Sequence, residues 1–448
     1  MRVTARPALS LVSGIIVAAV VAGFARGSQA TATTTNHAKS KVVLRVAIDS
    51  SWQFMKTAKQ WFEKQHPGVT VDMYATPGAS YNQQIVQELS IAHPADVTVL
   101  EVGPGPYSTL VENHLLENLD SIWKKENLAR VYFPPVRRVY TSSDGHHYAV
   151  SIDLWWGPQI YYRLDVLQKA GVTLPPGHRL TEAQFLNISS RLKREGYVPL
   201  AVDGKDDAIG FGYILSSLVE SACGEARYLN MTANWKKSVP LKTKWTDSCA
   251  VKALQTLAEW NVAGVFGDSP ALRDYATAQG LFASGKAAAR MDASWFPNEL
   301  VIVNKFTQPY TWRMIPAVQG GTNPRFQFVT QDSLGVTAKS QHKQLAKAFI
   351  DLVISKRFEK RQAYFNDIGG MPARSDIKFP PGSHAVTVGM RDAMSKLGVS
   401  TSLPYQVPYG TAAGALTVQV NAMLSGQQSV VATARALAAA VLQSRRGG

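Results

Sequence analysis

The sequence is poor in cysteine, with two in 448 residues, and neither lies near the N-terminus. Anchoring through a lipid-modified N-terminal cysteine is therefore not expected. A metal site is not expected either, because two cysteines without a nearby His pair supply too few ligands. Acidic residues are the scarcer charge, 32 against 47 basic ones, which leaves a net charge of +15. The basic residues are spread along the chain rather than gathered in a stripe with a reading motif, so no nucleic-acid partner is expected. Mean hydropathy is low at -0.08, which excludes a polytopic membrane protein. The 33 glycines and 23 prolines are dispersed rather than periodic, which excludes a collagen-like or low-complexity chain. Also missing are H-E-x-x-H, G-x-S-x-G and the phosphate-cradling G-x-x-x-x-G-K. What remains is a globular chain, 46% hydrophobic and 18% charged, long enough for two to three ordinary domains.

Residues 1–30 read as an export signal. Arg2 and Arg6 precede an apolar run from Ala8 to Ala25, and Ser28 and Ala30 are small residues at the two positions that a signal peptidase reads. An uncleaved anchor helix is the competing reading, since the run is nearly long enough to span a bilayer. Cleavage gives a mature protein from Thr31, periplasmic or secreted, with residues 31–40 as a disordered lead-in. Removing Arg2, Arg6 and Arg26, three charges, takes the formal +15 to +12. Cys223 and Cys249 are an even pair in an exported chain. A disulfide closing that loop of about 27 residues is worth ~3 kcal/mol of chain entropy, with two buried thiols as the alternative.

The mature chain opens as an alternation of strands and helices. Val42 to Ile48 reads as a strand, the stretch containing Met55, Ala58, Trp61 and Phe62 as a helix that Pro67-Gly68 ends, and Val69 to Tyr74 as a second strand. Tyr81 to Ile91 reads as a helix and Asp96 to Leu100 as a buried strand. Such a succession implies an α/β fold with a mainly parallel sheet that binds ligands at the carboxyl ends of its strands, where Ser50, Ser51, Trp52 and Glu101 lie. The pattern restarts with a strand at Gln159 to Arg163, a short helix from Leu164 to Ala170 and a longer one from Thr181 to Glu195. In the longer helix Thr181 and Gln184 form a capping box, and Phe185, Ile188 and Leu192 an apolar face. The segment from Gly210 to Trp260 is helix-rich, which makes a second α/β lobe the natural reading.

The order of segments resembles the extracellular solute-binding proteins of ABC importers, specifically the large sugar-binding group that includes the maltose-binding proteins. Trp61 to Val71 is similar to that family's first helix and second strand, and Pro94-Ala95-Asp96-Val97 to its third strand. Tyr161-Tyr162-Arg163-Leu164-Asp165-Val166-Leu167 resembles the entry to the second lobe, with Arg163 where the family often has Lys. Phe282-Ala283-Ser284-Gly285-Lys286-Ala287-Ala288-Ala289-Arg290-Met291, followed by Ser294-Trp295, resembles the block F-x-x-G-K-A-A-M that ends in a Trp. Asp332 to Val336, Ala346 to Ile350 and Gly369 to Arg374 resemble the return crossover, its helix and a G-x-x-P-A turn. The resemblance implies a two-lobed periplasmic-binding-protein fold with discontinuous lobes, hinge crossings and an interlobe cleft. Crossings are expected near Ile152 to Trp155, Val329 to Asp332 and Gly370 to Arg374. Lobe one is then 41–153 plus 331–372, and lobe two is 154–330 plus 373–448.

A sugar presents apolar C–H faces and a rim of hydroxyls, so its site needs aromatic rings for stacking and charged or amide groups for hydrogen bonds. Trp155 and Trp156 stand at the first crossing, where one of two adjacent indoles faces the cleft. Trp295 occupies the position where the sugar-binding group commonly carries a stacking aromatic, and Trp52 is a candidate from lobe one. Core packing competes for each ring. Glu101, Asp153 and Asp332, at a strand end and two crossings, are candidate acceptors of hydroxyl protons, against helix capping or surface ion pairs. Ser51, Tyr81, Tyr409 and Arg374 complete the candidates, with ordinary surface or core placement as the alternative for Tyr81, Tyr409 and Arg374.

Ser190-Arg191-Leu192-Lys193 fits S-x-x-K but lies within the capped helix and lacks companion motifs, and His146-His147 suits a solvated hairpin after the Asp144-Gly145 turn. The resulting expectation is a non-catalytic, monomeric binding protein without cofactor. It takes a di- or oligosaccharide to the permease subunits of an ABC transporter. The basic surplus keeps open an anionic ligand, such as a glycerophosphodiester or sugar acid, on the same fold. A secreted glycoside-processing enzyme is the alternative of another class.

Overall fold

The computed structural model describes residues 42–49, 52, 54–76, 81–101, 104–142, 144–205, 210–233, 239–302, 304–329, 332–361, 371–378, 385–400 and 411–447. These fall within one compact unit, Lys41–Gly448. The strands are β1 (Val42–Asp49), β2 (Val69–Thr76), β3 (Val97–Glu101), β4 (Val150–Ser151), β5 (Asp153–Gly157), β6 (Gln159–Arg163), β7 (Ala289–Asp292), β8 (Tyr310–Met314), β9 (Phe326–Val329), β10 (Asp332–Val336), β11 (Met371–Pro372) and β12 (Val399–Ser400).

They form three sheets, ordered β2-β1-β3-β10-β4, β7-β6-β8 and β11-β5-β9-β12. In the first, β1 runs parallel to β2 and β3, as the β-α-β alternation requires. The helix Met55–Gln65 covers it by burying Met55, Ala58 and Phe62. That helix ends where Gly68 adopts φ +94°, a backbone that side chains disfavour. The chain then enters β2 with Val42 N–H bonded to the Gly68 carbonyl at 3.0 Å. The returning β10 lies antiparallel to β3 and β4. Behind it the helix Lys343–Ile354 buries Ala346, Phe349, Ile350 and Val353, and the Phe349 ring meets Phe62 edge-on at 5.2 Å. Phe349, Ile350 and Val353 each contribute about 1.5–3 kcal/mol of burial.

The second sheet differs from the first, since β6 is antiparallel to both β7 and β8. Among the described residues, the parallel contacts beside this sheet are isolated bridges from Val198 to Ala287 and from Ala201 to Arg290. The period of two is visible in β6, where Tyr161 joins one core cluster and Ile160 and Tyr162 the other. The second cluster is completed by the helices Gly210–Cys223 and Ser248–Val262 and by the C-terminal pair Thr411–Leu424 and Val430–Gly447. A disulfide joins Cys223, at the end of the first of these helices, to Cys249, with Cα atoms 5.0 Å apart. The helix Glu182–Arg194 has the expected capping box: Gln184 N–H reaches Thr181 Oγ1 at 3.1 Å and Thr181 N–H reaches Gln184 Oε1 at 2.9 Å.

The third sheet brings the three inferred crossing segments side by side. Trp155, Trp156 and Gly157 of β5 face Val329, Phe328 and Gln327 of β9 on one edge. Leu154 and Asp153 face Met371 and Pro372 of β11 on the other. Among the described residues no helix is long and apolar enough to cross a membrane.

Candidate functional site

Strand β5 directs its two adjacent indoles differently. Trp156 is buried edge-on to Phe133, with ring centroids 6.3 Å apart. Its backbone is clamped to the loop after β7, Trp156 N–H donating to Ser294 Oγ at 3.0 Å and Ser294 N–H to the Trp156 carbonyl at 2.8 Å. The clamp fixes the next residue, Trp295. The Trp295 ring is half-buried, packs against both core clusters and lies edge-to-face with Trp155, centroids 5.5 Å apart at 77°. Tyr213, from the first turn of the Gly210–Cys223 helix, adds a third ring 6.3 Å from Trp295. That helix start is seated on the preceding segment so closely that a Cβ at Gly210 would lie 1.8 Å from the Asp203 carbonyl oxygen, which only glycine permits.

Both indole N–H groups of the edge-to-face pair have protein acceptors. Trp155 Nε1 donates to Asp332 Oδ2 at 3.0 Å, and Trp295 Nε1 donates to the Tyr275 hydroxyl at 3.0 Å. Trp155 is buried, at 5% exposure, so of the pair it is the half-buried Trp295 ring that can offer a ligand its carbon face, with its N–H already taken, as stacking on sugar C–H surfaces requires.

Beneath Trp295 lies a buried polar layer. The Tyr275 hydroxyl donates to Glu299 Oε2, and Gln279 Nε2 donates to the same oxygen at 3.0 Å. The Arg290 guanidinium sits 4.7 Å from the Tyr275 ring centroid and pairs with Asp203 and Asp292, each at 3.0 Å, all three side chains being fully buried. Three acids surround one cation. Burial pushes Asp203 and Asp292 up to about 6 although Arg290 pulls both down, and burial also raises Glu299. Arg290 is held above the ordinary arginine value, because Asp292 and Asp203 outweigh the burial that opposes its charge.

The remaining candidates are placed as follows. Asp332 opens β10 opposite Glu101, the last residue of β3, so both stand at one end of the first sheet. The Glu101 and Tyr81 side chains, and all of Ser51 and Tyr409, lie outside the described residues. Asp153 is fully buried in β5, and Trp52 is buried with its ring 5.8 Å from Phe54. Arg374 is paired with carboxylates: its guanidinium donates to Glu126 at 2.6 Å and to Asp376 at 3.0 Å. His146 and His147 do not diverge into solvent as expected of a hairpin. Both Nδ1 atoms converge on the Asp120 carboxylate at 2.6 and 2.7 Å, and the His147 ring stacks on Trp123 at 3.8 Å. A surface pocket of about 400 Å³ against Trp123, Arg137, Thr141 and His147 contains none of the aromatic group's residues. Sequence reasoning passed over Tyr213, Tyr275, Arg290 and Glu299. The available signal was Arg290, a charge inside the small apolar run Ala287 to Met291.

Two sheets linked by a third, with an aromatic group where β5 meets the loop after β7, define a two-lobed binding protein. A family model for the bacterial extracellular solute-binding proteins matches residues 46–360, and the chain belongs to that family. It is 24% identical over 391 residues to an uncharacterized ABC transporter extracellular-binding protein of Pyrococcus horikoshii, covering 83% of this chain and 81% of that one. Among solved structures it resembles a chitin oligosaccharide binding protein, with a TM-score of 0.77 at 18% identity over 91% of this chain and 100% of that one. The GacH receptor of Streptomyces glaucescens, solved unliganded and with acarbose, gives 0.71 at 17% identity over 91% and 99%. The solute-binding protein RafE in complex with raffinose gives 0.69 at 16% identity over 90% and 100%. At these identities the structural likenesses establish the two-lobed fold.

Proposed function

We propose that this protein is the exported substrate-binding component of an ABC importer, which closes its two lobes on a di- or oligosaccharide and hands it to the membrane permease. The observation that carries this reading is the Trp155–Trp295 pair, whose N–H groups are both taken by protein acceptors while the Trp295 ring stays half-buried. Stacking surfaces of this kind suit sugar rings. Proteins solved with raffinose and acarbose share the fold, which supports the same ligand class here. β5, β9 and β11 serve as the hinge between lobe one, 41–153 plus 331–372, and lobe two, 154–330 plus 373–448. The protein acts as a monomer without catalysis, and residues 1–30 direct export and are removed before Thr31.

Charge favours a neutral sugar over an anionic ligand. The charged groups described around the aromatic pair are Asp332 and the Arg290 layer, in which Asp203, Asp292 and Glu299 outnumber the one cation. An incoming phosphodiester or sugar acid meets like charge there. A thermal-shift screen of residues 31–448 against maltotriose, chitotriose, raffinose, sugar acids and glycerophosphodiesters tests the reading. A neutral oligosaccharide at about 100 times its Kd stabilises the fold by about 2.7 kcal/mol and raises the melting temperature. Shifts confined to the anions overturn the neutral-sugar assignment, and hydrolysed oligosaccharide in the incubations would establish an enzyme instead.

A further inference from the structure

We infer that Tyr275 is a positioning residue for the binding site, locking the Trp295 ring through a directional hydrogen-bond relay that ends on Glu299. The inference rests on Trp295 being a ligand-stacking residue. A tyrosine hydroxyl has one proton and two lone pairs, so it can accept from one neighbour while donating to another. Tyr275 does both: it accepts the Trp295 indole N–H at 3.0 Å and donates to Glu299 Oε2. The direction is set by chemistry at the two ends, since an indole N–H only donates and an ionised carboxylate only accepts. Gln279 holds Glu299 in place with a 3.0 Å hydrogen bond, and Arg290 lies against the Tyr275 ring at 4.7 Å. The relay spans three separate elements: the helix Tyr275–Ala283, the loop after β7 and the helix Phe296–Ile302.

A ring held in one orientation before the ligand arrives loses less conformational freedom on binding, and affinity rises accordingly. The relay also makes the lock sensitive to protonation. A neutral Glu299 can donate to Tyr275, turning the hydroxyl so that its own proton competes with the Trp295 N–H for the space between the rings. The charged and titratable groups facing it are Arg290 and Asp292 of β7, Asp203 ahead of the Gly210–Cys223 helix, and Tyr275 itself. Burial raises Glu299, so the unlocking sets in at a higher pH than it would for a water-exposed glutamate.

The test reads Trp295 directly, without a ligand. In full-length mature protein carrying ¹⁵N-indole tryptophan, the Trp295 resonance is assigned by its loss in Trp295→Phe, and its N–H exchange is followed with the other nine of the 10 tryptophans as internal controls. Tyr275→Phe keeps the ring and removes the acceptor, and is expected to speed Trp295 exchange at least about ten-fold relative to those controls. It should weaken the tighter of maltotriose, chitotriose and raffinose by about five-fold, with little change in melting temperature. Glu299→Gln mimics the neutral carboxyl, an acceptor oxygen beside a donor, so its Trp295 exchange should already be faster than wild type at pH 7.5 and accelerate no further at pH 5. Unchanged Trp295 exchange in Tyr275→Phe overturns the inference. If that variant does not fold, the wild type decides: selective acceleration of Trp295 exchange at pH 5 supports the relay, and a pH response shared by all the tryptophans overturns it. Because the exchange arm needs no sugar, failure of the relay and failure of the carbohydrate reading are separable.

Discussion

Two buried arginines, Arg290 and Arg374, are each gripped by two carboxylates, yet their acids behave oppositely. Asp203 and Asp292 beside Arg290 have no access to water, and burial pushes them up to about 6 in spite of the guanidinium. Asp376 beside Arg374 retains 29% side-chain exposure; burial works to raise it, but hydrogen bonds and charge from Arg374 prevail and pull it below the ordinary aspartate value. The same pairing thus makes a firm ion pair where water helps to solvate it and a proton-hungry cluster where water is excluded. The second kind lies under Trp295, where three acids outnumber one cation and so disfavour an anionic ligand relative to an uncharged one. The first ties the turn after β11 to the Glu126 region.

The sharpest way to break this contrast is to remove each cation. Arg290→Met leaves three buried acids around an empty position, and denaturant unfolding should show a loss of about 3–5 kcal/mol. Arg374→Met should cost only about 1–2 kcal/mol, because water reaches Glu126 and Asp376 and replaces part of what is lost. Equal losses would remove the distinction. Ligand binding separates the two regions next. Trp295→Ala should weaken oligosaccharide binding by at least ~1 kcal/mol in calorimetric titration, whereas Arg374→Met should leave the Kd within about two-fold.

The smallest effect is in pH. Asp203 has a folded pKa raised above its unfolded value, so its contribution is present at low pH and is lost as pH rises through about 6. Going from pH 7 to 5 should therefore stabilise the fold by about 1 kcal/mol through Asp203 alone. Glu220, buried against Gln327 of β9 and pushed up to about 7, shifts stability in the same direction, so the readout is the difference between wild type and Asp203→Asn. Asp376 has the opposite sign, its contribution being present at neutral pH and lost only as pH falls below the ordinary aspartate range. A Asp203→Asn variant with an unaltered pH profile would contradict the raised value.

Local chemistry made much of the fold legible. The Thr181–Gln184 capping box, the strand Gln159–Arg163 and the apolar face of Phe185, Ile188 and Leu192 are all present where short-range rules place them. The order of motifs conveyed the two-lobed architecture because each motif marks one segment of it. Strand direction in the second sheet was not legible, since pairing is decided by excursions of unpredictable path. The polar layer was hidden because Asp203 lies more than 70 residues before the others, and Tyr275, Arg290 and Glu299, though within 24 residues, sit on a helix, a strand and another helix and meet only once the sheet assembles them. The two histidines misled because their common partner, Asp120, lies 26 and 27 positions away.

The measurement that bears most directly on the central claim is a crystal structure of the mature protein with the oligosaccharide that gives the largest thermal shift. The account expects a sugar ring between the lobes, its C–H face within about 4 Å of the Trp295 ring, with Trp295 N–H still on Tyr275. A sugar bound elsewhere on the surface, or between the lobes but out of contact with Trp295, would contradict it.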